Sequence, residues 1–188
     1  MLVKSTPLQH AAVIEREPIR DTRGYFARSF CRKTLVDHGI LFDLAQTNIA
    51  FNDHPYTIRG MHFQLPPYSE EKIITCTQGS IYDVIIDLNL HSSTFGKWFG
   101  ITLSEKNQLS LYVPKGFAHG YQTLQGNTLI HYMVSEYYTP DHESGIRWDD
   151  PAFGIEWPYK NEIIISGKDQ QWRDFNSITD GILFSEED

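Results

Sequence analysis

The stretch Ser80-Ile81-Tyr82-Asp83-Val84-Ile85-Ile86-Asp87-Leu88 limits the folds open to this chain more than any other. It is rich in β-branched residues, which favour strands over helices. By the strand period of two, Asp83, Ile85 and Asp87 share one face. Similar runs surround it. Ile73 to Thr77 ends at the turn Gln78-Gly79, and Trp98 to Leu103, Gln108 to Val113 and Thr128 to Ser135 follow. From about 44 to 136, short strands alternate with turns such as Ser93-Thr94-Phe95-Gly96, with little helix between them. That pattern predicts a mainly all-β, antiparallel sandwich or barrel. Spacing alone leaves immunoglobulin-like and jelly-roll topologies both open.

The flanks add small elements. Residues 11–19 read as a strand ended by Pro18, Arg20 to Gly24 as a turn, and Tyr25 to Phe30 as a further strand. Residues 32–39 predict a short helix stopped by Gly39. Thr139 to Glu143 starts a helical turn, 146–151 and 156–158 are loops, and Ile163 to Ser166 is a last short strand. There is no repeat and no low-complexity linker, so the 188 residues read as one domain, 1–188, with a mobile acidic tail at about 176–188.

Composition enters as exclusion. A formal net charge of -8 argues against nucleic-acid and acidic-membrane binding, which need a basic face. No run approaches the roughly 18 apolar residues of a membrane helix. Met1 to Ala12 lacks the pattern of a signal peptide. Cys31 and Cys76 are far apart and make neither a disulfide framework nor a zinc motif, which fits a reducing compartment. The expected address is the cytoplasm.

The chemistry gathers around Arg59-Gly60-Met61-His62-Phe63-Gln64, continuing to Lys72. A lone strand histidine is more often structural than catalytic. Here, however, Arg59 and Lys72, if close, oppose protonation of His62 and favour the neutral form that a general base needs. A second cluster, Pro114-Lys115-Gly116-Phe117-Ala118-His119-Gly120, carries Pro-x-Gly-x-x-His, the second half of the cupin jelly-roll signature. The first half normally supplies His-x-His and then Glu as metal ligands, and here it reads His62-Phe63-Gln64. Two imidazoles and an amide are a poor donor set for zinc or ferrous iron. The chain therefore resembles a cupin barrel that has no metal and retains a histidine. Tyr132 is a suitable acid if neighbouring cations lower its pKa. Asp169, a loop acid by default, would fix the tautomer of His62 if brought against it.

Taken in order, the motifs resemble those of the dTDP-4-dehydrorhamnose 3,5-epimerase family from about Arg20 to Asp169. They include Asp21-x-Arg23-Gly24-x-Phe26, Gln46-x-Asn48, Arg59 to Gln64, Lys72, Gly79-x-Ile81-x-Asp83-Val84 and Pro114 to Gly120. Tyr132, Tyr138, Pro140-x-x-Glu143, Ile146-x-Trp148-x-Asp150-Pro151 and Trp157-Pro158 complete the set. The resemblance implies a cupin-type antiparallel jelly-roll barrel with a few short helices. It implies an epimerase inverting C3 and/or C5 of a nucleotide-linked 4-keto-6-deoxyhexose, without metal or other cofactor. In that role His62 is the base, Asp169 its partner, Tyr132 the acid, and Lys72 stabilises an enolate. Arg23, Arg59, Lys168 and His119 match positions that hold the sugar nucleotide, Gln46, Asn48 and Glu143 match further binding positions, and Tyr138 matches an aromatic stacked on the base. Arg23 and Phe26 are implied to reach across a homodimer made by exchanging N-terminal strands.

The chain departs from the family pattern at Arg28, where a Glu is usual, at Asn48-Ile49-Ala50, and in a longer loop from Phe51 to Thr57. The first reverses charge and hydrogen-bond role at a nucleotide-recognition position, which points toward a CDP- or other NDP-linked sugar. An enzyme inverting one carbon alone stays open, because the same base and acid serve either. Two other classes are a metal-dependent cupin oxygenase, against which Gln64 argues, and a non-catalytic sugar-binding cupin.

Overall fold

The computed structural model describes residues 1–176 and 179–183. The chain order is β1 (Leu2–Ser5), β2 (Ala12–Glu15), β3 (Ile19–Asp21), β4 (Gly24–Phe26), α1 (Arg32–Val36), β5 (Gln46–Asn52), β6 (Thr57–Gln64), β7 (Lys72–Gln78) and β8 (Ser80–Asp87). Then come β9 (Trp98–Ser104), β10 (Leu109–Val113), β11 (Phe117–Thr123), β12 (Thr128–Val134), β13 (Glu143–Gly145), β14 (Ile164–Ile165) and α2 (Gly167–Gln170). One sheet runs β1-β2-β10-β7-β12-β5 and the other β13-β6-β11-β8-β9, with β14 added parallel to β6. The architecture is the jelly roll that the sequence resemblance implied. Its two sheets face each other without hydrogen bonding into one closed barrel.

Three apolar layers explain the burial pattern. Between the sheets lie Val13, Ile74, Cys76, Ile81, Ile85, Leu111, Phe117 and Ile130. The outer face of the first sheet is covered by Leu35 of α1 with Ile40 and Phe42, packed on Ala12, Ile14, Ile73 and Met133. The outer face of the second sheet is covered by the segment after β13, where Ile146, Phe153, Ile155, Trp157 and Ile182 pack on Met61, Phe63, Val84 and Ile86. Strand β8 is therefore buried on both faces, which suits its β-branched residues and leaves Asp83 and Asp87 as buried exceptions.

The expected elements were found with shifted ends. Residues 25–30 contribute a strand only to Phe26, and the hairpin β3–β4 stands exposed outside both large sheets. Strand β11 occupies the centre of its sheet, between β6 and β8, and every residue in it is buried. In sequence this stretch shows only a turn and a histidine. Of the acidic tail expected from 176, residues 177, 178 and 184–188 lie outside the described set. The rest is tied down: Ile182 exchanges main-chain hydrogen bonds with Leu88 and Leu90, and Arg173 pairs with Asp180 at 2.5 Å.

One irregularity sets up the site. Where β6 meets β11, His119 pairs with His62 but Tyr121 pairs with Arg59, so β6 carries one extra residue at Gly60-Met61. This is a β-bulge, a device that re-aims neighbouring groups. The two backbones touch there. A Cβ on Gly60, whose φ is +124°, would lie 2.5 Å from Gly120 Cα, and one on Gly120 would lie 2.8 Å from Arg59 O.

Gly60→Ala is expected to destabilise the fold by roughly 1–3 kcal/mol from overpacking alone, read as the urea midpoint. Gly39→Asn, at φ +78° with nothing within 4 Å, serves as the tolerated control.

Candidate active site

Strand β6 projects His62 and Gln64 to one side and Met61 and Phe63 to the opposite, packed side. A cleft of about 470 Å³ opens between the sheets, lined by His62, Gln64, Glu70, Lys72, Tyr132, Tyr138 and Glu143, with Gln46 and Asn48 from β5. An inner pocket of about 220 Å³ shares His62, Lys72 and Tyr132 and adds Arg59, His119 and Tyr121. A cavity of about 620 Å³ beside β1, β2 and α1 is larger but contains none of these groups.

His62 Nε2 lies 2.6 Å from Asp169 Oδ1, while Asp169 Oδ2 accepts from the Gly60 N–H at 3.3 Å. The bulge thus lets one carboxylate hold both a side chain and the backbone two residues before it. Asp169 is on α2 rather than in a loop, and Ser166 caps that helix by accepting from the Asp169 N–H at 3.1 Å. Burial works to raise the Asp169 pKa, but the bonds from His62, Gly60 and Ser166 outweigh it and hold the carboxyl below its usual range. An ionised Asp169 accepts the Nε2 proton, so the base form of the imidazole has its lone pair on Nδ1. Among the described residues nothing hydrogen-bonds to Nδ1.

Tyr132 enters from the opposite wall, on β12 of the first sheet, beside Asn48 and Ile74. Its expected electrostatics are corrected here. The phenol pKa is raised, first by burial and then by the negative charge of Glu70, and Arg59 offsets this only in part. The phenol is therefore a held proton rather than a poised phenolate. Lys72 is 8% exposed and sits 2.8 Å from Glu70 Oε1. Glu70 carries no role in the sequence analysis, because the burial of Lys72 that makes a counter-charge necessary is not visible in sequence.

His119 is also tied to an acid: its Nε2 is 2.7 Å from Asp83 Oδ1, and Asp83 is fully buried with Oδ2 unpartnered. Burial pushes Asp83 up despite His119 and Lys72. An aspartate on the inner face of so apolar a strand was the signal for this second pair. Arg59 is held from β5, donating to Asn52 Oδ1 at 2.9 Å and Phe51 O at 3.4 Å, and it lines both the inner pocket and an outer groove that also contains Lys168 and Asp169. At the rim, Glu143 Oε2 accepts from Tyr138 Oη and Lys168 Nζ, each at 2.5 Å. These bonds raise Tyr138 and Lys168 and lower Glu143.

Three expected binding residues are not brought to this cleft. Arg23 pairs with Asp21 of its own hairpin at 2.6 Å, and Arg23, Phe26 and Arg28 are all exposed. Gln64 is buried, and its amide is committed to main chain: Nε2 donates to Tyr68 O at 2.9 Å and Tyr137 O at 3.2 Å, while Oε1 accepts from Thr139 N at 2.6 Å. Among the described residues no three His, Cys, Asp or Glu side chains come together as a metal site. None of the described helices is long and apolar enough to cross a membrane.

This arrangement can be compared with known proteins. The sequence model of dTDP-4-dehydrorhamnose 3,5-epimerase matches residues 5–177. The chain belongs to this family. It is an isomerase. The dTDP-4-dehydrorhamnose 3,5-epimerase of Sinorhizobium fredii is 39% identical over 173 residues, 90% of this chain and 87% of that protein. The Escherichia coli protein of the same name is 35% identical, over 91% of this chain and 92% of its own. The crystal structure of the Bacillus anthracis protein, with TDP and PPi bound, superposes with a TM-score of 0.89 at 41% identity, covering 93% of this chain and 99% of that one.

Gln64→Leu in this epimerase strips three main-chain partners from the 68 and 137–139 segments. It is expected to cost roughly 2–4 kcal/mol, with faster amide exchange at Thr139 as the local readout.

Proposed function

We propose that the cleft binds a dTDP-linked 4-keto-6-deoxyhexose and inverts C3 and C5 through an enolate. The observation that carries this reading is the placement of His62, oriented by the Asp169 carboxylate, and the Tyr132 phenol on opposing sheets across one cleft. Inversion requires a base on one face of the sugar ring and an acid on the other.

The steps follow from the groups. His62 Nδ1 takes the proton from C5 or C3, which the C4 ketone acidifies. The C–H electron pair moves into the ring and the charge develops on O4. The Lys72 ammonium opposes that charge and stabilises the transition state more than the ground state. Tyr132 gives its proton to the other face, the carbonyl re-forms, and the centre is inverted. His62 is left protonated and Tyr132 deprotonated, and exchange with water resets both. Asp169 balances the imidazolium during the turn. None of these steps uses a metal or a redox cofactor.

Binding roles follow the charges. Arg59 and Lys168 face the groove where a diphosphate would lie, and His119, Gln46, Asn48 and Glu143 offer polar groups to the sugar and nucleotide. Tyr138 is an exposed ring at the rim suited to stack on the base. The exposed β3–β4 hairpin supports a homodimer in which Arg23 and Phe26 serve the neighbouring copy's cleft. Arg28, on the same exposed segment, is positioned with them to influence the choice of base. The cytoplasm suits such a biosynthetic enzyme.

Incubation with dTDP-4-keto-6-deoxyglucose in heavy water, followed by NMR, is expected to place deuterium at C3 and C5. Label at one carbon would reduce the activity to a single inversion, and no label would reject this substrate. His62→Ala is expected to lower the rate by roughly 10²- to 10⁴-fold, whereas Tyr132→Phe should keep some exchange and lose inversion. In competition, dTDP should outbind CDP, UDP and GDP; a tenfold preference for CDP would instead confirm a shift at Arg28.

If Arg23 acts in the neighbouring cleft, co-expressed Arg23→Ala and His62→Ala chains should regain about a quarter of native activity, because one site in half of the dimers is intact. Two inactive chains that do not complement, with a native mass of one 21.7 kDa chain, would remove the dimer.

A further inference from the structure

Lys72 is the group on which the proposed reaction depends at O4, and its surroundings are unusual for a cation meant to meet an anion. Its ammonium is almost buried, and its one ion-pair partner among the described residues is the Glu70 carboxylate at 2.8 Å. Both side chains are enclosed, at 10% and 13% exposure, and both line the cleft with His62 and Tyr132. A buried ammonium without a counter-charge is costly, so removing Glu70 would not simply free Lys72 for the substrate. An ammonium has three donors, and Glu70 takes one, which leaves two for an oxygen in the cleft.

The surrounding main chain makes this pair stiff. Glu71, between the two, donates its N–H to Ser135 Oγ at 2.8 Å and accepts from the Ser135 N–H at 3.1 Å. Lys72 itself pairs in register with Val113 on one side and Val134 on the other. Glu70 is thus presented from the end of a fixed strand rather than from a loose loop.

We infer that Glu70 is a positioning residue for the epimerisation: its carboxylate holds the Lys72 ammonium in the cleft between His62 and Tyr132, with donors left for the developing O4 charge. This inference rests on the reaction proposed above. Glu70 also acts on the acid. The charged or titratable groups that line the pockets with Tyr132 are Lys72 on β7, Arg59 and His62 on β6, His119 and Tyr121 on β11, Glu143 on β13, Tyr138 after β12, and Glu70 ahead of β7. After burial, Glu70 is the main influence raising the phenol's pKa. Its negative charge disfavours phenolate, so its removal lowers the pH at which the acid is lost.

The test compares wild type, Glu70→Gln and Glu70→Asp by steady-state kinetics across pH and by ¹³Cζ-tyrosine NMR of Tyr132. Glu70→Gln is expected to lower kcat roughly 10- to 100-fold, as a misplaced catalytic group does, with KM changed less than about threefold. The alkaline limb of kcat and the Tyr132 titration should both move to lower pH. Glu70→Asp, which keeps the charge, should hold both near their wild-type positions, and it also serves as the informative variant if Glu70→Gln does not fold. An active wild type with unchanged kcat and unchanged titration in Glu70→Gln overturns the inference. A wild type with no turnover overturns the reaction, while the NMR titration still decides whether Glu70 governs Tyr132.

Discussion

The contact between two backbones at Gly60 and Gly120 is the constraint from which the site follows. Neither position has room for a side chain, and β6 accommodates the approach by bulging. The bulge turns the Gly60 N–H out of the ladder and toward Asp169, the same carboxylate that holds His62. A regular strand would satisfy that N–H with β11, and the aspartate would then meet the imidazole alone. Backbone irregularity and side-chain orientation here are one arrangement.

That arrangement separates two histidines that are neighbours across a ladder. His62 and His119 face each other in register, and each is bound to its own aspartate. Asp169 arrives from outside the sheet and stays ionised. Asp83 comes from within the sheet, is fully buried and is pushed toward its neutral form. The same pair of residue types is thus tuned differently by solvent access. The partly exposed imidazole is the one suited to exchange protons, and the enclosed one is suited to shape the pocket.

The sequence showed these features unevenly, for physical reasons. Strand β8 is legible because its β-branched residues Ile81, Val84, Ile85 and Ile86 suit burial on both faces. Strand β11 is not, because Gly116, His119 and Gly120 give it the look of a turn, although its seven residues are all buried. Helix α2 spans four residues and has no periodicity to read. The His62–Asp169 pair joins residues 107 apart, so no local pattern encodes it, and resemblance alone supplied it. The direction of the Tyr132 shift was misread because cations are visible in sequence and burial is not. Arg23, Phe26 and Arg28, expected as binding residues, lie together on one exposed stretch that this chain by itself does not carry to the cleft.

The long span between His62 and Asp169 has a consequence for how the protein is made. During synthesis His62 emerges 107 residues ahead of the carboxylate that orients it. Every strand of both large sheets except β14 can be in place while the imidazole still lacks its partner. A nascent chain at that stage has the strands that line the cleft and an imidazole with no carboxylate to orient it. The orientation of His62 therefore belongs to chains that have passed α2, and one stopped before it can hold most of the sheet structure without the His62–Asp169 pair.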